Sequence, residues 1–120
     1  MMNMPILNPS QLDQIRSFDV SGERKLLQKF LLIFLDSSEK YMEQLEQAMQ
    51  NDDGSNLYRA AHSFKSSTVN VGADALSELL RQLEEYGRAG EMANARLLQQ
   101  SLRQQYQLVI EEVKDIIEKS

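Results

Sequence analysis

The spacing of apolar residues limits the fold of this chain more than any other feature of its sequence. Apolar side chains such as Leu27 and Leu31 recur at intervals of three and four along most of the chain, a spacing typical of amphipathic helices. The two prolines, Pro5 and Pro9, lie near the N-terminus, so nothing in the rest of the chain forbids helix. Because no segment alternates as a strand does, the sequence predicts an all-α protein.

Turn-forming residues divide this pattern into five predicted helices. Asn8 or Ser10 can cap a short first helix with Pro9 in its first turn, and Ser21 can cap the second. The first predicted helix is NPSQLDQIRSF, and the second is a long helix from Ser21 to about Gln50. The third runs from Ser55 or Asn56 to about Asn70, and the fourth carries Leu76 to Leu83 and ends at Gly87 or Gly90. The last helix runs from Ala95 to Ile116. Since short connections favour antiparallel neighbours, the predicted architecture is an up-down-up-down four-helix bundle with a short additional N-terminal helix.

The size of the chain and one apolar run refine this architecture. With 120 residues the chain has the length of one ordinary domain, so residues 1–120 are predicted to form a single helical domain in which residues 1–7 are a flexible N-terminal segment. The run FLLIFL, residues 30–35, is apolar nearly all round a helix. It is therefore expected to be covered on more than one side, with the first helix as its cover.

Composition and charge exclude several classes of function. The net charge is −5, which argues against a nucleic-acid binder with a basic stripe. The absence of cysteine removes disulfides and thiolate metal sites and fits a reducing compartment. The apolar run is far shorter than the roughly 20 residues that span a membrane, and the N-terminus lacks the basic region of a secretory signal. We therefore expect a cytoplasmic protein that binds neither nucleic acid nor membrane.

The only histidine in the chain, His62, is predicted to be exposed. When Leu57 is placed at 0° on a helical wheel, the core face of the third helix includes Phe64, whereas His62 falls at about 140°. Lys65 and Ser66 lie one turn further along the same side. This geometry excludes a core histidine but leaves open a surface histidine without a role.

The chemistry available to such a patch is narrow. A lone histidine without cysteine makes a poor coordination shell, so no metal site is predicted. Ser66 is four residues from His62, but nothing resembles an oxyanion hole or a third orienting group, and no glycine-rich phosphate loop is present. A neutral imidazole, with an ordinary pKa of about 6.5, remains a free nucleophile that can accept a phosphoryl group.

The stretch AHSFKSSTVNVGA, residues 61–73, resembles the signature of histidine-containing phosphotransfer (HPt) domains, broadly A-H-x-L-K-G/S-x-x-x-x-x-G-A. Phe64 stands where that family usually has leucine, which is a volume-tolerant core exchange. The downstream stretch ALSELLRQLE also resembles the family's next helix. The resemblance covers the motif by residue type and the whole chain by helix layout.

This resemblance implies a role for each matching residue. His62 would be the phosphoacceptor, reacting through Nε2, with Lys65 and Ser66 stabilising the phosphoryl group. Gly72 would be structural, permitting a tight passage between the third and fourth helices. Glu84 matches a position where the family often has a polar residue that orients the imidazole, although a solvated charge on the helix face is the alternative.

The resemblance also implies partners. The domain would accept a phosphoryl group from an aspartyl-phosphate on a response-regulator receiver domain, free or part of a hybrid sensor kinase, and pass it to another receiver. Tyr58, Arg59 and Val69 are candidates for receiver docking, together with parts of the second helix that the first leaves uncovered. The chain itself is expected to be a monomeric phosphocarrier without kinase activity or cofactor, and Mg²⁺ is expected on the receiver.

Two alternatives compete with this interpretation. The phosphoacceptor module of a sensor kinase also presents a histidine on a helical bundle, but there an acidic residue usually follows the histidine and a proline lies nearby. Here Ser63 follows His62 and no proline is near. The second alternative is a helical adaptor that binds receiver domains without phosphotransfer. The starting methionines favour a free-standing protein over a domain of a hybrid kinase.

Overall fold

The computed structural model describes residues 5–23 and 25–119. In this part of the chain every regular element is an α-helix, which confirms the predicted all-α class. The helices are α1 (Pro9–Ser17), α2 (Leu26–Gln50), α3 (Gly54–Asn70), α4 (Asp74–Ala89), α5 (Met92–Leu97) and α6 (Gln99–Glu118). None of the described helices has the length and apolar content needed to cross a membrane.

The four long helices pack as the predicted antiparallel bundle. Helix α2 contacts α3 and α6, and α4 contacts the same two helices from the other side. Gly54 at the start of α3 lies against Gly87 near the end of α4, so these two helices run in opposite directions. Between α2 and α6, Ser38 bonds Tyr106 at 3.3 Å and Glu46 accepts from Arg103 at 2.7 Å. The contacting residue numbers rise along α2 and fall along α6, so these two helices are also antiparallel.

Phe64 of α3 occupies the centre of the core. Its ring is fully buried and lies 6.2, 5.3 and 6.4 Å, centroid to centroid, from the rings of Phe34, Tyr41 and Tyr106. Such aromatic groups add a geometric preference to the hydrophobic gain of burial. They fix the rotation of α3 about its own axis and thereby decide which of its residues face solvent.

The start of α2 is a correction to the predicted cap at Ser21. The helix begins at Leu26, after Lys25 in the left-handed conformation with φ of 50°. The hydroxyl of Ser21 instead accepts from the N–H of Glu23 at 3.2 Å. The N–H of Leu26 is satisfied by the carboxylate of Asp19 at 3.1 Å, so a residue seven positions away supplies the cap.

From residue 53 onward, the start of α3 and the last helix depart from the prediction, whereas α4 ends at one of its two predicted stops. Asp53 caps α3 by accepting from Asn56 N–H at 3.1 Å, which starts that helix slightly earlier than expected. Helix α4 continues through Gly87 and stops at Gly90, whose φ is 72°. The single predicted last helix is two, because the chain turns at Leu98, whose N–H donates to Ala95 at 3.0 Å.

One expectation for the N-terminal third, the cover of the FLLIFL run on more than one side, is corrected. Only part of the FLLIFL run is covered: Leu31 and Phe34 are buried, whereas Phe30, Leu32 and Ile33 are 43%, 53% and 68% exposed. Helix α1 is too short to cover more than one side of α2. Of the segment predicted to be flexible, residues 1–4 lie outside the described residues, but Leu7 is 4% exposed and packs in the core.

Candidate functional site

His62 projects from the middle of α3 into solvent, on the side that the helical wheel predicted. Its side chain is 58% exposed, while Ala61 and Phe64 on either side of it are fully buried. Because the core contacts of Phe64 fix the rotation of α3, the outward direction of His62 follows from the packing of its neighbours.

The carboxylate of Glu84 on α4 binds the imidazole. Its Oε1 lies 2.6 Å from Nδ1 of His62, and its Oε2 accepts from Nζ of Lys65 at 2.6 Å. A carboxylate can only accept, so the contact with His62 requires a proton on Nδ1. In the neutral imidazole the free lone pair is then on Nε2, the nitrogen not engaged by Glu84.

Glu84 is buried in the structure, with 5% of its surface exposed. Burial raises the pKa of a carboxyl group, but the hydrogen bonds and charges of Lys65 and His62 outweigh burial and lower the pKa of Glu84 below its ordinary value. Glu84 therefore stays ionised at neutral pH and offers the imidazole a full negative charge.

Lys65 and Ser66 lie beside His62, as predicted, but their observed contacts are internal to the domain. The ammonium of Lys65 is directed to Glu84, and its side chain is 29% exposed. The hydroxyl of Ser66 reaches back to the carbonyl oxygen of His62 at 3.4 Å, one turn earlier on α3. The structure thus joins His62, Lys65 and Glu84 in one hydrogen-bonded group with Ser66 at its edge.

An aromatic side chain lies beside the imidazole in an offset, nearly parallel stack. The ring of Tyr58 stacks on His62 with a centroid distance of 6.0 Å and an interplanar angle of 18°. The guanidinium of Arg88 lies 5.2 Å from the centroid of Tyr58, within the range of a cation–π contact. Sequence reasoning missed Arg88; the available signal was its position one turn after Glu84 on α4.

Gly72 lies in the turn between α3 and α4 and has two structural reasons to be glycine. Its φ is 77°, in the left-handed region that glycine tolerates best. A Cβ at this position would lie 2.9 Å from the backbone nitrogen of Asn8. That nitrogen donates to the carbonyl oxygen of Gly72 at 2.8 Å, so the N-terminal segment is attached directly to the turn.

The docking candidates differ in exposure. Arg59 and Val69 are exposed on α3, whereas Tyr58 is half-buried by its contacts. Arg59 and Ser63 line a groove of about 390 Å³ between α2 and α3. Phe18 at the end of α1 and Phe30 and Ile33 on α2 form an exposed apolar patch. This patch is a further candidate for receiver docking, and we call it the apolar docking surface.

This apolar docking surface borders α3. Phe18 and Phe30 line one groove with Asn70, and Phe30 and Ile33 line a second groove with Ser67 and Asn70. Asn70 lies eight residues, or about 12 Å, along α3 from His62. The apolar docking surface and the imidazole are therefore close enough to contact one partner.

These features define a helical-bundle domain that presents a single histidine, with a carboxylate on one ring nitrogen and the other nitrogen free. Comparison with protein-family models finds the same class, since the Hpt domain model matches residues 29–116. The chain belongs to the Hpt domain family.

Comparison with solved structures gives a consistent result. The crystal structure of histidine-containing phosphotransfer protein B (HptB) from Pseudomonas aeruginosa PAO1 is 26% identical and superposes with a TM-score of 0.89. The match covers 98% of this chain and 99% of that one. No curated protein matches the chain. Family and structure together support histidine phosphotransfer in a phosphorelay, and proteins of this family interact with receiver domains of response regulators.

Proposed function

We propose that His62 accepts a phosphoryl group from an aspartyl-phosphate on one receiver domain and passes it to the aspartate of another. The observation that carries this proposal is the 2.6 Å contact between Nδ1 of His62 and the carboxylate of Glu84. It supports a ring proton on Nδ1, with Nε2 as the nucleophile on an exposed side chain.

In the forward step, the lone pair of Nε2 forms a bond to phosphorus as the bond from phosphorus to the aspartate oxygen breaks. The aspartate leaves as a carboxylate, and the phosphorylated ring, which retains its Nδ1 proton, becomes positively charged. The charge develops next to the ionised Glu84, so both partners of its hydrogen bond to Nδ1 become charged and the bond becomes stronger. In the return step the ring is the leaving group: the second receiver's aspartate forms a bond to phosphorus as the bond from Nε2 to phosphorus breaks, and Nε2 recovers its lone pair.

Lys65 and Ser66 are proposed to assist at the phosphoryl group. Lys65 holds Glu84 in place, and an ammonium with three donors can also turn one of them toward a phosphoryl oxygen. Ser66 is small and exposed, so it leaves room for the incoming group and can donate its hydroxyl. The divalent ion that phosphoryl transfer requires, Mg²⁺, is assigned to the receiver.

The receiver is proposed to dock across the outer face of α3 and the apolar docking surface. An ordinary interface buries roughly 800 Å² on each partner, which corresponds to a patch with a radius of about 16 Å. A patch of this size centred near Asn70 includes His62, Val69 and the apolar docking surface. Arg59, on the same face of α3, is placed to meet acidic groups at the receiver's phosphorylation site.

The test is phosphotransfer from a labelled receiver to the wild-type chain and to His62→Gln. We expect acid-labile, base-stable label on the wild type and none on the variant. Because the chain has one histidine, loss of label assigns the site without peptide mapping. Equal thermal unfolding of both proteins is the control for folding. Label that persists in His62→Gln would contradict the proposal, and receiver binding without label would identify a non-catalytic adaptor.

A further inference from the structure

Arg88 differs from most arginines of this acidic chain in its partners. Among residues 5–23 and 25–119, four arginines form ion pairs with carboxylates at 4.0 Å or less: Arg16, Arg81, Arg96 and Arg103. Arg88 pairs with no carboxylate in this part of the chain and lies over the ring of Tyr58 instead. Its charge is thus directed to the aromatic ring that touches His62.

Tyr58 is held from several sides. Arg88 lies over its ring, and the imidazole of His62 stacks on it at 6.0 Å. Its backbone is pressed against α4, because a Cβ on Gly87 would lie only 2.7 Å from the nitrogen of Tyr58. Tyr58 therefore belongs to the rigid contact between α3 and α4, and its ring is a fixed surface for the imidazole.

The hydrogen bond to Glu84 fixes one atom of the imidazole but not the plane of its ring. The ring can still tilt about the line from Nδ1 to Oε1, and this tilt moves Nε2. A fixed aromatic ring on one face of the imidazole removes much of that freedom. In-line attack on phosphorus depends on the direction of the lone pair, so the tilt affects the rate.

We propose that Tyr58, supported by Arg88, is a positioning residue that fixes the ring plane of His62 and directs Nε2 to the incoming phosphorus. This inference rests on the proposed phosphotransfer. It gives Tyr58 a role distinct from receiver docking, because a positioning residue changes the maximal rate of transfer while a docking residue changes the receiver concentration at half-maximal rate.

The kinetic test compares Tyr58→Leu with Tyr58→Phe, which keeps the ring. Tyr58→Leu is expected to lower the maximal transfer rate by roughly tenfold to hundredfold, at a nearly unchanged half-saturating receiver concentration. Tyr58→Phe should restore most of the rate. An unchanged maximal rate in Tyr58→Leu, or a change confined to half-saturation, would overturn the proposal.

The support from Arg88 is tested with a matched charge control. Arg88→Gln should lower the maximal rate in the same direction as Tyr58→Leu, by a smaller factor. Arg103 lies on α6 and forms an ion pair with Glu46 on α2. Arg103→Gln removes the same positive charge and should leave the maximal transfer rate unchanged. Equal rates for Arg88→Gln and Arg103→Gln would remove Arg88 from the proposal.

A second readout needs no receiver. His62 gives the only imidazole signals in the NMR spectrum of this chain, so its contacts and side-chain torsions can be followed directly. We expect contacts between the Tyr58 and His62 rings in the wild type, and averaged His62 torsions in Tyr58→Leu with unchanged amide dispersion. A His62 ring equally mobile in both proteins would overturn the inference. Absence of transfer in the wild type would overturn the proposed function separately.

Discussion

Glu84 is the one charged side chain that the described part of the bundle buries. A buried carboxylate is costly unless it is paired and hydrogen-bonded, and here Lys65 and His62 supply both partners. Lys65 is therefore first a counter-ion for Glu84, a role that the motif alone does not reveal. The same pairing keeps Glu84 ionised beside the imidazole ring, which becomes positively charged in the proposed transfer.

The ion pairing of Glu84 predicts a pH dependence of stability. The pKa of Glu84 is lowered on folding from its ordinary value of 4.5, so the ionised group stabilises the fold fully above that value. This contribution is lost as the pH falls from 4.5 through the lower folded value. Glu84→Gln removes the titrating group and keeps the shape, so wild type and variant should differ most at neutral pH and converge in acid.

The measurement for Glu84→Gln is urea unfolding of both proteins over a series of pH values. Glu43→Gln is the matched control, since Glu43 is exposed on α2 and should show little difference at any pH. A difference between wild type and Glu84→Gln that stays constant into acid would show that the carboxylate charge does not stabilise the fold.

The sequence predicts some of this site and not the rest, for physical reasons. The outward direction of His62 follows from helical periodicity, because Phe64 must face the core. The contacts of Lys65 and Arg88 do not follow, because each depends on how closely α3 approaches α4. That distance is set where Gly54 meets Gly87, and a Cβ on Gly54 would lie 2.6 Å from the carbonyl oxygen of Gly87.

At the scale of elements, the turn between α3 and α4 is stabilised by the N-terminal segment. The N–H of Asn8 donates to Gly72, and its side chain bonds Asp74 at 3.2 Å. Gln11 of α1 donates to the carbonyl oxygen of Asn70 at 3.0 Å. Helix α1 thus caps the end of α3 and fixes the turn that leads to Glu84 on α4.

This attachment predicts that two left-handed glycines differ in their tolerance of alanine. Gly72 and Gly90 have φ values of 77° and 72°, but a Cβ on Gly90 meets no atom within 4 Å. Gly90→Ala should therefore cost only the conformational strain, about 1–2 kcal/mol. Gly72→Ala should cost more, because Asn8 must also move, and chemical denaturation measures both losses. Equal losses would show that the contact with Asn8 adds no constraint.

Helix boundaries show where local sequence is insufficient. The core face of α3 is predicted from spacing alone. The start of α2 is not, because its cap comes from Asp19 across a loop. The break at Leu98 has no glycine or proline to mark it; Arg96 anchors the end of α5 to α2 through the carbonyl oxygen of Met49 at 3.1 Å. Both boundaries are set by tertiary contacts.

At the scale of the whole molecule, exposed apolar side chains are unevenly distributed. The described part of the chain has eight large exposed apolar side chains. Five of them lie between residues 18 and 33, and the other three are Val69, Leu97 and Leu108. The apolar docking surface therefore lies where exposed apolar side chains are concentrated, on the outer side of α2 next to the end of α1. A contiguous exposed apolar surface on a folded domain is typical of a binding site.

The docking proposal predicts that Ile33→Asp weakens receiver binding and that Leu97→Asp does not. The two side chains are 68% and 79% exposed, so neither change opens a cavity, and both alter the net charge equally. Ile33→Asp places a charge within the proposed interface and should raise the receiver Kd at least about tenfold, while Leu97→Asp should leave it near the wild-type value. Calorimetric titration with the unphosphorylated receiver measures both. Equal effects would place the receiver elsewhere on the bundle. For Ile33→Asp, a higher Kd with an unchanged maximal transfer rate would show that two groups of residues have different roles. The apolar docking surface would hold the receiver, and Tyr58 and Glu84 would orient the histidine.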